Sequence, residues 1–309
     1  MIKKQTVLVL GAGASMHLEY PSGKSLKEEI LNEALVETGR HYSKLKESLP
    51  SSMDTAIIPE IINRFHDLLR MSGRQSIDDF LTNNPKYTRV GTVAIAVVIS
   101  AHEDQEKLFA NKDGDWYQYL YNAMDSPGTT LQSFRENQLA IITFNYDRSL
   151  EEYLFHTLES NHQDETGGIT VIDAIKSIPI IHVHGQIGEL PWLSSQGLGR
   201  PYGENDLLRT AASGIKVIDD VKIDNFAPAW KEIEKSQRII FLGFGYNETN
   251  IKHLMQNFHE QRGRLLRGTC FGMTGQEMDD VKGIFTPIAI ELGNPSYKIF
   301  DFLMNEVSL

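Results

Sequence analysis

Val7-Leu8-Val9-Leu10-Gly11-Ala12-Gly13-Ala14-Ser15 opens the chain with an apolar run that ends in a turn of small residues. Four consecutive apolar residues read as a strand buried on both faces, and the glycines that follow predict a strand-to-helix turn. Two later runs end in a similar way. Leu139 to Phe144 leads into Thr143-Phe144-Asn145-Tyr146-Asp147, and Ile178 to Val183 leads into His182-Val183-His184-Gly185. Glycine, an amide, an acid and a histidine therefore gather at three strand ends, the place where open α/β sheets bind ligands.

Further apolar runs at Arg238–Leu242, Gly268–Met273 and Ile288–Leu292 alternate with helical patterns such as Ser149–Leu158 and Glu248–Phe258. About six mostly parallel strands with helices between them predict an α/β fold, a Rossmann-like three-layer α/β/α sheet. From 36 to 137 the periodicity is helical (Ile57, Ile61, Ile62, Phe65, Leu68, Leu69) and no strand is expected. Residues 1–35 plus 138–309 are thus read as the Rossmann-like core and 36–137 as an inserted helical subdomain. Ser25 and Glu28 have capping-box spacing for a helix carrying Leu26, Ile30, Leu31 and Leu35. Ser194 to Asn205, rich in glycine and polar residues, reads as a mobile loop.

With 41% hydrophobic and 23% charged residues, the 309-residue chain has an ordinary globular composition. Its net charge of −11 argues against a duplex-binding surface, so no direct nucleic-acid binding is expected. The one cysteine, Cys270, allows neither an intrachain disulfide nor a multi-cysteine zinc site. It is read as a small core residue in a cytoplasmic protein. The apolar run from Val90 to Ala101 falls short of the ~20 residues that span a bilayer, so no membrane contact is expected, and no signal peptide is expected ahead of the first strand.

Small residues from Gly11 to Ser15 would let backbone N–H groups approach a pyrophosphate at a helix start. The usual dinucleotide pattern has a third glycine where this chain has Met16, and its acids Glu28, Glu29 and Glu33 fall on a helix rather than after a second strand. A standard dehydrogenase is therefore disfavoured. Gly23-Lys24-Ser25 resembles the end of a P-loop, but Leu18 stands where that loop needs glycine, and Lys24 is read as a solvated residue at a helix start. His182 and His184 are expected on one strand face by alternation, His182 structural and His184 a proton acceptor beside Gly185. The two imidazoles lack an obvious third ligand, so no metal is expected. Gly243-Phe244-Gly245-Tyr246 repeats the glycine-at-strand-end pattern and could take the other end of a nucleotide.

Taken in order, Gly11-Ala12-Gly13-Ala14-Ser15, Thr143-Phe144-Asn145-Tyr146-Asp147, His184-Gly185 and Gly243-Phe244-Gly245 resemble the sirtuin family, and more closely the bacterial sirtuin-like NAD hydrolases of antiphage defence. The resemblance spans roughly residues 5–35 and 138–295, and Ser76-Ile77-Asp78-Asp79-Phe80-Leu81 is similar to a segment often seen in the bacterial group. It implies that Gly11, Ala12, Gly13, Ala14 and Ser15 hold the NAD pyrophosphate, with Thr143 among the nucleotide-binding residues. Asn145 would hold the nicotinamide ribose or position water, Asp147 would lie near the nicotinamide amide, and His184 would be the general base. Gly243, Gly245 and Asn294 would line the adenosine side. Deacylating sirtuins carry four zinc-binding cysteines, an arginine soon after the glycine turn and Gln before the site Asn. Here there is one cysteine, no arginine from Met16 to Lys24, and Phe144. The expected activity is therefore NAD glycohydrolysis to nicotinamide and ADP-ribose, with NAD as substrate. The alternatives are an NAD-dependent deacylase and a non-catalytic NAD- or ADP-ribose-binding module. Control by homo-oligomerisation or by a separate activating partner is also expected.

Overall fold

Six parallel strands form one sheet in the order β3-β2-β1-β4-β5-β6, in a computed structural model. The structure describes residues 1–50, 52–110, 112–165, 168–194, 199–204, 206, 208–217, 223–258 and 263–309. The strands are β1 (Thr6–Leu10), β2 (Leu139–Thr143), β3 (Ile180–His182), β4 (Arg238–Leu242), β5 (Leu265–Gly268) and β6 (Glu291–Leu292). The chain adds β2 and β3 on one side of β1 and then crosses back to add β4, β5 and β6 on the other, so the switch point of this doubly wound sheet lies between β1 and β4.

The continuous apolar runs hide a period of two. Leu8, Leu10, Ile141, Ile240 and Leu242 enter one hydrophobic cluster, while Val7, Val9, Ile142, Ile239 and Phe241 enter another on the opposite face. The first cluster is covered by α1 (Gly23–Glu29), α2 (Tyr42–Ser48), α3 (Ile58–Met71), α4 (Ile77–Asn83), α5 (Thr88–Ala101), the short α6 (Gln105–Leu108), α7 (Trp116–Met124), α8 (Leu131–Phe134), α9 (Ser149–Asn161), α10 (Val171–Lys176) and α11 (Leu208–Ser213). The second is covered by α12 (Ile223–Lys235), α13 (Glu248–Met255) and α14 (Gly275–Phe285), and α15 (Ile299–Glu306) returns to the first. Among the described residues no helix is long and apolar enough to cross a membrane.

Several expected boundaries move. The fifth strand is Leu265–Gly268 rather than Gly268–Met273. Arg264 and Arg267 interrupt its apolar pattern, and Arg267 reaches Glu291 at 2.7 Å near the sheet edge. The sixth strand keeps only Glu291–Leu292 of the expected Ile288–Leu292. β3 begins after Pro179, which has no N–H for a ladder, and ends at His182. The first helix is capped by Ser22, whose Oγ accepts from Ser25 N at 3.2 Å, so the capping role expected of Ser25 falls three residues earlier. Cys270 is buried, with its thiol donating to Gly293 O at 2.8 Å. Of the loop expected at 194–205, residues 195–198 and 205 lie outside the described residues.

Candidate functional site

The carboxyl ends of β1, β2 and β4 and the turn after β3 open onto one cavity of about 480 Å³. Of the residues singled out above, Gly11, Ala12, Ser15, Asn145, Asp147, His184 and Gly245 line it. Gly13, Ala14, Thr143 and Gly243 stand behind it, and Asn294 is exposed beyond β6, with its Oδ1 accepting from Ser296 N at 2.9 Å. The structure does not bring Asn294 to this cavity, because β5 and β6 lie on the far side of β4.

Asn145 is oriented by its neighbours. Its Nδ2 donates to Gly11 O at 3.0 Å and to Ser15 Oγ at 3.2 Å. A flipped amide would set Oδ1 against the Gly11 carbonyl, so the donor end is fixed inward and Oδ1 is left as an acceptor for a ligand. Thr143 serves this arrangement from behind: its Oγ1 accepts from Asn145 N at 3.0 Å. Ser15 Oγ passes the network on to Asp147 Oδ2 at 2.8 Å, and Ser149 donates to the other Asp147 oxygen from both its N–H, at 3.2 Å, and its hydroxyl. Burial raises the Asp147 carboxyl above the usual range, outweighing the lowering effect of these bonds.

His182 and His184 do not share a face. The strand ends at His182, so alternation stops there and His184 falls in the following turn. His182 Nδ1 bonds the Asn145 carbonyl at 3.0 Å and Nε2 bonds Glu151 Oε1 at 2.5 Å. Burial works against its charge, but Glu151 more than compensates and the pKa rises above the ordinary imidazole value. His182 therefore holds the Asn145 backbone in place through its Nδ1. His184 lines the cavity edge-on to Phe144, with ring centroids 5.3 Å apart. It is 7% exposed, and burial lowers its pKa, outweighing the opposing effects of Asp78 and of a side-chain hydrogen bond with Asn250, so it is neutral near pH 7. A neutral imidazole in a cavity can accept a proton.

Gly185 holds His184 in place. It has φ +70°, bridges Ile215, and an added Cβ would stand 1.9 Å from Gly214 O, while the His184 carbonyl accepts from Lys216 N at 2.8 Å. Gly185→Ala is expected to destabilise the chain by about 2 kcal/mol or more and to displace His184. A thermal melt matching the parent would contradict this.

The glycine turn proves to be largely a packing device. Gly243, at φ +56°, lies so close to β1 that a Cβ would meet Ala14 N at 2.2 Å, and a Cβ on Gly13 would meet Gly243 Cα at 2.8 Å. Four of the five amides from Gly11 to Ser15 donate within the protein, which leaves Ala12 N–H for a ligand rather than the expected cradle. Trp116 Nε1 donates to Ala14 O at 2.8 Å, pinning α7 to the same turn.

The sequence reading gave no role to several lining residues, among them Asp78, Tyr146 and Asn250. Asp78 and Tyr146 meet, with the Tyr146 hydroxyl donating to Asp78 Oδ1, and the Asn250 side chain bonds His184. Asp78 sits inside the Ser76–Leu81 segment noted above, which was the available signal; Asn250 on α13 had none. Lys24 is at the cavity and exposed, with Glu28 at 4.0 Å, as expected of a solvated helix start. Among the described residues no group of three or more His, Cys, Asp or Glu side chains could hold a metal ion.

Residues 139–274 match the family model described as SIR2-like domain. The match runs from β2 to the start of α14 and includes Asn145, Asp147, His184, Gly243 and Gly245, which supports a sirtuin-like family. SIR2-like domains use NAD. A comparison with curated proteins finds no match.

Proposed function

We propose that this chain is an NAD+ glycohydrolase that cleaves NAD+ to nicotinamide and ADP-ribose, acting as an antiphage defence effector of the abortive-infection type. The observation that carries the reading is the pairing of a fixed amide acceptor with a neutral, buried imidazole on one cavity at the sheet's switch point. The nicotinamide–ribose bond already has a cationic leaving group, and cleavage passes through an oxocarbenium-like state. The protein has to orient the ribose, exclude bulk water and place one nucleophile. Asn145 Oδ1 accepts from a ribose hydroxyl or from the attacking water. As the water oxygen bonds to the anomeric carbon, nicotinamide leaves with the bond pair and His184 takes the water's proton. The chain's one cysteine, with no four-cysteine zinc subdomain, favours water over acyl-lysine as acceptor.

An unregulated NAD hydrolase would harm its host, so we further propose control by homo-oligomerisation or by a separate partner docking on the 36–137 helices. The test is an NAD+ time course followed by chromatography at low and high protein concentration, with light scattering alongside. Release of nicotinamide and ADP-ribose in equal amounts is expected, rising more than linearly with protein. Tight NAD+ binding without turnover at any concentration or with candidate partners would favour a binding module. O-acyl-ADP-ribose formed with an acyl-lysine peptide would favour a deacylase.

A further inference from the structure

We propose that Asp78 touches the substrate, as the carboxylate set against the pyridinium ring of the oxidised nucleotide and against the oxocarbenium charge that follows it; this rests on the NAD reading above. Asp78 is carried by the first turn of α4, where Ser76 Oγ accepts from Asp79 N at 3.1 Å, and not by any strand end. The buried Tyr146 hydroxyl donates to its Oδ1, tying the carboxylate to the turn between Asn145 and Asp147. Its second oxygen has no hydrogen-bond partner among the described residues, while the other carboxylates of the cavity are engaged: Asp147 by Ser15 and Ser149, Asp79 by Arg74 at 3.4 Å. Asp78 is also the acid whose charge reaches His184.

The surroundings fit a planar cation. Phe144 and Phe244, 4.9 Å apart edge to face, give the cavity an aromatic wall. His184 and Asn250, whose side chains bond each other, bring polar groups to the same wall. A first-turn acid also favours the α4 dipole, but that role alone would make the site indifferent to the charge on the nicotinamide ring.

The experiment uses the full chain carrying Asp78→Asn. It measures NAD+ turnover, inhibition constants for NADH and ADP-ribose, and the melting temperature. NAD+ turnover is expected to fall on the order of a hundredfold, because a carboxylate a few ångströms from a developing positive charge acts in a water-poor site. NADH and ADP-ribose, which lack the cationic ring, should inhibit the variant within twofold of the parent. Tyr146→Phe, which frees Asp78 without removing it, should show a smaller loss with the same selectivity, and serves if Asp78→Asn does not fold. Turnover of Asp78→Asn within threefold of the parent, or weakened inhibition by NADH and ADP-ribose in step with NAD+, would overturn the assignment. If the parent consumes no NAD+, the glycohydrolase reading fails first. Direct binding then decides for Asp78: equal parent affinity for NAD+ and NADH sinks it, and an NAD+ preference lost in Asp78→Asn supports it.

Discussion

Replacing His184 by alanine is expected to lower NAD+ consumption by about 10²–10⁴-fold while leaving the melting temperature near that of the parent. The fold loses little, because the ring's bond to Asn250 lies at the cavity and the His184 backbone carbonyl keeps the bond from Lys216 N. Asn145→Ala should abolish turnover as well, at an added stability cost of about 1–2 kcal/mol, since Gly11 O and Ser15 Oγ lose their donor. Near-parental NAD+ loss by chromatography in either variant would remove the assignment. The pH dependence follows from burial. The folded His184 binds its proton less tightly than an ordinary imidazole, so the base form persists below about pH 6.5 and the acid limb of kcat/KM should lie under that value. Between the lowered folded pKa and the unfolded value the unfolded chain carries the extra proton. His184 therefore contributes stability above the unfolded value, which is lost as the pH falls through the folded pKa, and His184→Ala should blunt that part of the acid sensitivity.

Glu103→Gln is expected to cost about 3–5 kcal/mol of stability, the largest effect of any single change away from the cavity. The Glu103 carboxylate, with side-chain exposure of 0%, accepts from Arg148 Nε at 3.0 Å and Nη2 at 2.7 Å, from Arg200 Nη2 at 2.6 Å and from Gly203 N at 3.1 Å. Burial raises the pKa of this acid in spite of both arginines, but two buried guanidiniums without it would be worse placed still. The damage should reach the site. Arg148 follows Asp147 directly, and Tyr202, held on the same loop as Arg200, meets the cavity residue Tyr20 through their hydroxyls at 2.8 Å. A urea or thermal melt checks it: a loss under about 1 kcal/mol would mean that the cluster is compensated elsewhere.

What was legible in advance was local. A buried strand writes itself as an apolar run, and a strand end as glycine or a polar cluster, so β1, β2 and β4 and the residues Asn145, Asp147 and His184 could be placed before any fold was known. The bounds of β5 were misplaced because the arginines at its start and within it are satisfied by partners far along the chain: Arg264 by Ser236 O at 2.9 Å and Arg267 by Glu291. The face of His184 escaped because alternation holds only while the strand continues.

By itself, the sequence determined that about six mostly parallel strands form the core and where the first strand ends gather chemistry, since burial is a property of short segments, whereas the strand order and its switch point came from the tertiary structure. Only the tertiary structure decided that Gly13 and Gly243 face each other rather than a ligand, that the Asn145 amide is turned by the Gly11 carbonyl, and that Asp78 and Asn250 complete the cavity. Those outcomes depend on atoms brought together from distant parts of the chain, and a polar side chain on a helix carries no local mark of what it will meet.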